Sequence, residues 1–295
     1  MLQDNTPRVR AVHDLSCFGR CALTVIIPAM SVMGAAVVPL PTALLSSHTG
    51  GFTGMTFLDL TDTMQGALDH YARMDLRFDA IYTGFLGSAA QIDTVSRAID
   101  LFGGRDTPVL VDPVMGDDGV VYQTYTPEMC ERMRELCRKA DILTPNLTEA
   151  YLLCGEPYRD TAAMAPDAAL AEAERLREKL TDLYGAKQLT LTGIELSDGR
   201  IATISYDSTC AAGREVVHVF HRIEHGYPGT GDLFASVLLG KLLAGMYFHD
   251  AADTACRIVA EMIADTAKYD LPRREGLRLE QNLWRLIESP KGAER

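Results

Sequence analysis

The chain has no apolar run long enough to cross a bilayer, which takes about 20 consecutive apolar residues, so no membrane-spanning helix is expected. It is short of positive charge: 28 Lys and Arg stand against 40 Asp and Glu, for a net charge of −12. That deficit argues against a general nucleic-acid or anionic-membrane binder, and an anionic ligand would need help from helix N-termini or a metal ion. No Gly-x-Gly-x-x-Gly follows the first expected strand, Arg8 to His13, which argues against a plain dinucleotide-binding dehydrogenase. The seven cysteines are odd in number and scattered, with no disulfide-like framework and no secretory signal before them, so a reducing cytoplasm is expected. His13, Cys17 and Cys21 have ligand-like spacing, but no second paired cluster completes a zinc site.

What is present is ordinary globular material. The 295 residues are 47% hydrophobic and 23% charged, and a chain of this size buries about 75% of the surface its unfolded form exposes. No repeat, low-complexity tract or linker interrupts it, so residues 1–295 are read as one domain. Short apolar strands are expected at 8–13, 35–39, 80–83, 108–111, 141–143 and 189–191, alternating with helices at 22–33, 61–74, 89–102, 128–139, one opened by 144–149 and running through 154, and 161–184. A β-rich pair at 201–206 and 216–223 follows, then helices at 233–244, 250–269 and 277–287, and a polar tail at 291–295. The strand, loop, helix order implies a three-layer α/β/α fold around a mostly parallel sheet.

Ligands of such sheets bind outside the carboxyl ends of the strands. At those ends stand Asp112 to Gly119, Thr144 to Glu149, Thr192 with Gly193, and His225 to Ser236, which contains Gly229-Thr230-Gly231-Asp232. This last stretch runs from a glycine-rich turn into an apolar helix, whose free N–H groups and dipole attract anions. Asp232 in the first turn is either a helix cap, worth about 0.5–2 kcal/mol, or a base facing a hydroxyl nucleophile. Similarly, Asp112 to Gly119 is either a phosphate and metal site or a plain Asp/Gly turn, and His48 in the hydroxyl-rich 42–52 loop reads as structural.

Taken in order, Ser46-Ser47-His48-Thr49, Thr83 to Gly87, Asp112 to Asp117, Thr144-Pro145-Asn146 with Glu149, and Gly229 to Asp232 with Leu-Phe after it resemble the pyridoxal/pyridoxamine kinases of the ribokinase-like superfamily. The resemblance covers nearly the whole chain. It implies transfer of the ATP γ-phosphoryl group to the 5′-hydroxyl of a vitamin B6 vitamer. Asp232 would be the base, and Gly229, Thr230 and Gly231 the anion hole. Asp112, Thr144, Thr192 and Gly193 would stand on the nucleotide side, and Asp117, Asn146 and Glu149 would hold Mg²⁺ and its waters. Ser16, Thr49 and Phe85 would contact the pyridine ring, and Gly116 to Tyr125 would form a lid. A homodimer is implied, with no nucleic-acid or membrane partner, and dependence on a monovalent cation is left open. The chain departs from the family pattern at Asp14 to Arg20, where Gln usually precedes the serine, and at Phe85, where tyrosine is frequent; Asp14 or Cys17 is a further candidate ring contact. The alternatives are a hydroxymethylpyrimidine kinase of the same superfamily, whose motif commonly carries cysteine at the position of Asp232, and a non-catalytic B6- or nucleotide-binding protein.

Overall fold

The computed structural model describes residues 6–210, 214–223 and 226–287. The expected tail at 291–295 and His225 of the glycine-rich stretch lie outside them, as does part of the 208–213 loop. Nine strands form one sheet in the order β11-β10-β9-β8-β5-β4-β1-β2-β3. Its centre, β2 (Ala36–Leu45), β1 (Arg8–Ser16), β4 (Ala80–Thr83), β5 (Val109–Val111), β8 (Ile142–Leu143) and β9 (Gln188–Glu195), is parallel throughout. The antiparallel strands lie at the edges: β3 (Phe57–Asp59) on one side, β10 (Arg200–Asp207) and β11 (Arg214–His221) on the other. A separate two-stranded ribbon joins β6 (Gly116–Asp117) to β7 (Val120–Val121).

The three layers follow from alternation along the strands. Val12, Ile81, Val109, Val111 and Leu143 point to one face, where α2 (Thr61–Arg73), α3 (Ala89–Phe102), α4 (Pro127–Cys137), α5 (Leu147–Cys154) and α6 (Pro166–Tyr184) cover them. Val9, Ala11, Ala80, Tyr82, Leu110 and Ile142 point to the other, beneath α1 (Leu23–Val32), α7 (Thr230–Leu243) and α8 (Phe248–Thr266). Successive side chains of a strand face opposite ways, and both faces are buried, so these strands read as continuous apolar runs.

Local chemistry sets the helix starts. Ser88 and Thr126 accept from the N–H groups of Gln91 and Met129, and Asn146 and Glu149 form a reciprocal capping box at α5. Three expectations need correction. The helix expected from Thr161 begins at Pro166, because Asp160 caps a separate 3-10 turn and proline is suited to a first helical position. Residues 277–287 are not one helix but a four-residue helix and a 3-10 turn. There the side chains of Asp265 and Thr266 bind Asn282, Arg278 and the Arg278 N–H, and so replace the regular ladder. Finally, β9 does not stop at Leu191: beyond its parallel partner it continues against β10, with a register shift opposite Thr192 and Gly193.

Candidate active site

The residues expected to handle nucleotide and metal converge. Asp112, Asp117, Thr144, Asn146, Glu149, Thr192, Gly193 and Gly229 to Asp232 all line one pocket of about 450 Å³ at the carboxyl edge of the sheet. Its far wall is apolar, built from Ile201 and Phe220 of the edge strands and from Val259 and Ile263 of α8.

At the pocket floor α7 begins on Gly229, which is left-handed (φ 83°). A side chain there would be strained and would place a Cβ 2.2 Å from the Arg20 carbonyl oxygen, so only glycine fits. The first N–H groups of a helix have no partner within it, and Gly229 to Asp232 line the pocket. At Gly231 a Cβ would meet only open space, so that backbone is accessible to a ligand. The Thr230 hydroxyl turns back to the Tyr227 carbonyl at 3.1 Å and braces the loop.

Asp232 follows immediately. Its Oδ2 accepts a hydrogen bond from the Ala22 N–H at 2.7 Å, and Oδ1 lies 3.9 Å from Nδ1 of the buried His13. Sixteen per cent of its side chain stays exposed, which leaves a path for a substrate hydroxyl. Burial raises the carboxyl pKa to about 6, the Ala22 N–H opposes that rise, and the Asp14 charge adds to it. The carboxylate is therefore ionised at neutral pH yet basic enough to take a proton. It is not the cap of α7: no side chain caps that helix start.

Asp112 and Glu149 are buried behind the pocket wall. Burial, and then the charge of Asp232, hold Asp112 well above the usual carboxylate range; burial and then Asp112 do the same to Glu149. Three interacting carboxylates mark a place that favours a cation. Glu149 already accepts N–H bonds on both oxygens, from Met115 (3.1 Å) and Asn146 (2.8 Å). The Asn146 side chain accepts from Glu149 N and donates to the Gly116 carbonyl. Among the described residues no three His, Cys, Asp or Glu are grouped to ligate an ion directly. Asp112, Asp117, Asn146 and Glu149 could hold Mg²⁺ through its own waters, and the buried Thr144 hydroxyl lies against Asp112 and lowers its pKa.

The Gly116 to Tyr125 segment contains the Asp/Gly turn that the sequence offered. Asp118 (φ 49°) and Gly119 (φ 75°) form the tight corner of the β6–β7 ribbon, the Asp-Gly pattern of a two-residue hairpin. Gly119 N–H donates to the Thr148 hydroxyl at 2.8 Å, and a Cβ at this glycine would lie 2.8 Å from the Tyr158 ring. The ribbon is thus held over the pocket by α5 and by Tyr158.

The acceptor-side residues do not share this pocket. Ser16, at the end of β1, is fully buried and donates to Asp14 Oδ2 at 2.7 Å. Phe85 is half-buried after β4, with its carbonyl bound by the Thr42 hydroxyl, whereas Thr49 and Cys17 are exposed. His48 Nε2 lies 2.6 Å from the Arg274 carbonyl, and its Nδ1 accepts from Gly50 N. The sequence reading did not place Ala22 at the site, weighed His13 only for a zinc site and took Tyr122 only as part of the 116–125 segment. Only His13 carried a signal, as a histidine inside an apolar strand; Ala22 acts through its backbone, and Tyr122 reaches the pocket from the ribbon.

Residues 26–274 match the phosphomethylpyrimidine kinase family. The chain belongs to that family. A hydroxymethylpyrimidine/phosphomethylpyrimidine kinase of Bacillus subtilis is 27% identical over 76% of this chain and 77% of its own length. A pyridoxine/pyridoxal/pyridoxamine kinase of Bordetella avium is 28% identical over 95% of this chain and 94% of its own. Among solved structures, a candidate phosphomethylpyrimidine kinase of Bacteroides thetaiotaomicron, crystallised with pyridoxal, is 38% identical, with a TM-score of 0.87 and 98% of each chain covered. The fold is that of the ribokinase-like kinases.

Proposed function

We propose that this kinase transfers the γ-phosphoryl group of ATP to the 5′-hydroxyl of a vitamin B6 vitamer. The observation that carries the reading is Asp232: an ionised carboxylate of raised basicity at the mouth of an anion-binding helix N-terminus. Phosphoryl transfer depends mainly on positioning and electrostatic stabilisation. In this reading Asp232 takes the proton of the acceptor hydroxyl as the oxygen attacks phosphorus. The N–H groups at Gly229 to Gly231 receive the charge of the moving phosphoryl group, and one such donor is worth roughly 2.7–4 kcal/mol. The ATP base would lie on the apolar wall, with its phosphates between Thr192 and the start of α7. Asp112, Asp117, Asn146 and Glu149 would hold Mg²⁺ through its waters, and the ion would supply charge neutralisation. The β6–β7 ribbon would keep water away from the phosphoryl group.

Two observations favour B6 over a pyrimidine acceptor. The residue at the transfer site is aspartate, where hydroxymethylpyrimidine kinases commonly have cysteine, and the Bacteroides relative was crystallised with pyridoxal. The Bacillus relative keeps the second reading open to the same test. Purified protein with ATP, Mg²⁺, three B6 vitamers and hydroxymethylpyrimidine should give a phosphate mass shift on a vitamer. Phosphorylation of hydroxymethylpyrimidine alone would overturn the assignment, and no transfer to any of the four would point to a binding protein.

A further inference from the structure

Ala22 has φ 49° and ψ −132°, a conformation that residues with a side chain rarely adopt. It is buried and stands immediately before α1, and its N–H is the group bound to Asp232 Oδ2 at 2.7 Å. Such strain persists only where the surroundings over-determine it, and here they do. The Arg20 carbonyl is boxed between Gly229 and Gly276, where a Cβ would approach it to 2.2 and 2.7 Å. Arg20 N–H donates to the Glu275 carbonyl, and its guanidinium is tied to Glu280. The Thr24 hydroxyl donates to the Cys21 carbonyl at 2.7 Å and accepts from Cys21 N–H at 3.2 Å.

We propose that the corner from Arg20 to Ala22 is a positioning device for the base: its strained backbone aims one N–H at Oδ2 of Asp232, so that Oδ1 is the oxygen that receives the substrate proton. The corner makes the two oxygens inequivalent. Oδ2 spends a lone pair on the amide, whereas Oδ1 faces His13 across 3.9 Å, beyond hydrogen-bond length. The same N–H opposes the rise in basicity that burial imposes. The other groups around Asp232 are His13 and Asp14 from β1, Cys21 of the corner, Tyr82 from β4 and Asp112 after β5. Two of them are carboxyls, so the Ala22 amide opposes a local excess of negative charge.

The proposal rests on Asp232 acting as base, and the two ideas can fail separately. Replacing Ala22 by its α-hydroxy analogue turns the Cys21–Ala22 amide into an ester and deletes only the N–H. Carbon-13 NMR of Asp232 in this otherwise intact protein should show its titration moved up by about one pH unit. The acid limb of kcat/KM should move with it, with kcat at pH 8 about tenfold lower and KM for ATP unchanged. Thr24→Val, which loosens the corner but keeps the N–H, should give the same shift at smaller size and keeps the test available should the ester variant not fold. Ala22→Ser, which preserves the N–H, should restore the wild-type titration. An unmoved Asp232 titration and unchanged kcat in both the ester and Thr24→Val forms would overturn the proposal. A fully active Asp232→Asn enzyme would instead sink the base assignment while leaving the NMR titration able to report on the contact.

Discussion

The two sides of Asp232 differ in how they are built. On the nucleotide side, groups from the ends of β5, β8 and α7 and from within β9 meet in one pocket, and many of their polar atoms are fixed by backbone bonds. On the proposed acceptor side, Ser16 at the end of β1 and Thr49 and Phe85 in two loops differ in exposure, and of the three Ser16 has its side chain held, by Asp14. Charge placed on a phosphate demands fixed donors, whereas a ring must be admitted and released. In the proposed reading, the phosphate-handling groups are the ones fixed by backbone bonds, and ring recognition falls to separate segments of differing exposure.

The largest expected effect tests the junction. Asp232→Asn should keep ATP binding and lose about 10²–10⁴-fold in turnover, measured by kcat beside a nucleotide titration; near-wild-type turnover would remove the residue from its role. The same substitution tests linkage. Burial raises the folded carboxyl pKa to about 6, against about 3.9 for a free aspartate, so its ionisation cost is fully present above pH 6 and vanishes below about 4. At pH 7.5 the asparagine variant should therefore be more stable, by up to ~3 kcal/mol, and the advantage should disappear in acid. Thermal melts at both pH values decide it.

Next, Gly229→Ala should lower turnover by about 10²–10³-fold and destabilise the fold, because its methyl meets the Arg20 carbonyl in a backbone region closed to alanine. An active, stable variant would show that the nucleotide side is less rigid than argued. A smaller effect is expected at the ribbon. Gly119→Ala presses on Tyr158 and should raise acceptor-independent ATP hydrolysis several-fold relative to transfer, read as ADP formed per phosphorylated product; an unchanged ratio would deny the ribbon its role as a lid. Phe85→Tyr should do least to the chemistry, shifting relative KM among the vitamers by less than about tenfold with KM for ATP constant. A change confined to ATP would place Phe85 on the wrong side.

The glycine-rich start of α7 and the carboxylates near Asp112 were legible because small residues and acids at strand ends have few other uses. Their joint placement followed from alternation of strands and helices. The antiparallel additions were harder to read. β3 is three residues long and exposed, and β6–β7 is held by Asp118-Gly119 more than by any apolar pattern. Residues 277–287 kept helical spacing, yet side chains of α8 broke the ladder.

The order of strands and helices, the two apolar faces and the residue types of the phosphate site follow from the sequence alone, since local periodicity and backbone permissiveness act over a few residues. Only the tertiary structure decided what Asp232 touches. Its partners Ala22 and His13 lie about 210 and 219 positions away in the chain, one acting through a backbone N–H that every residue but proline carries. Its raised basicity comes from burial, a property of the packed whole.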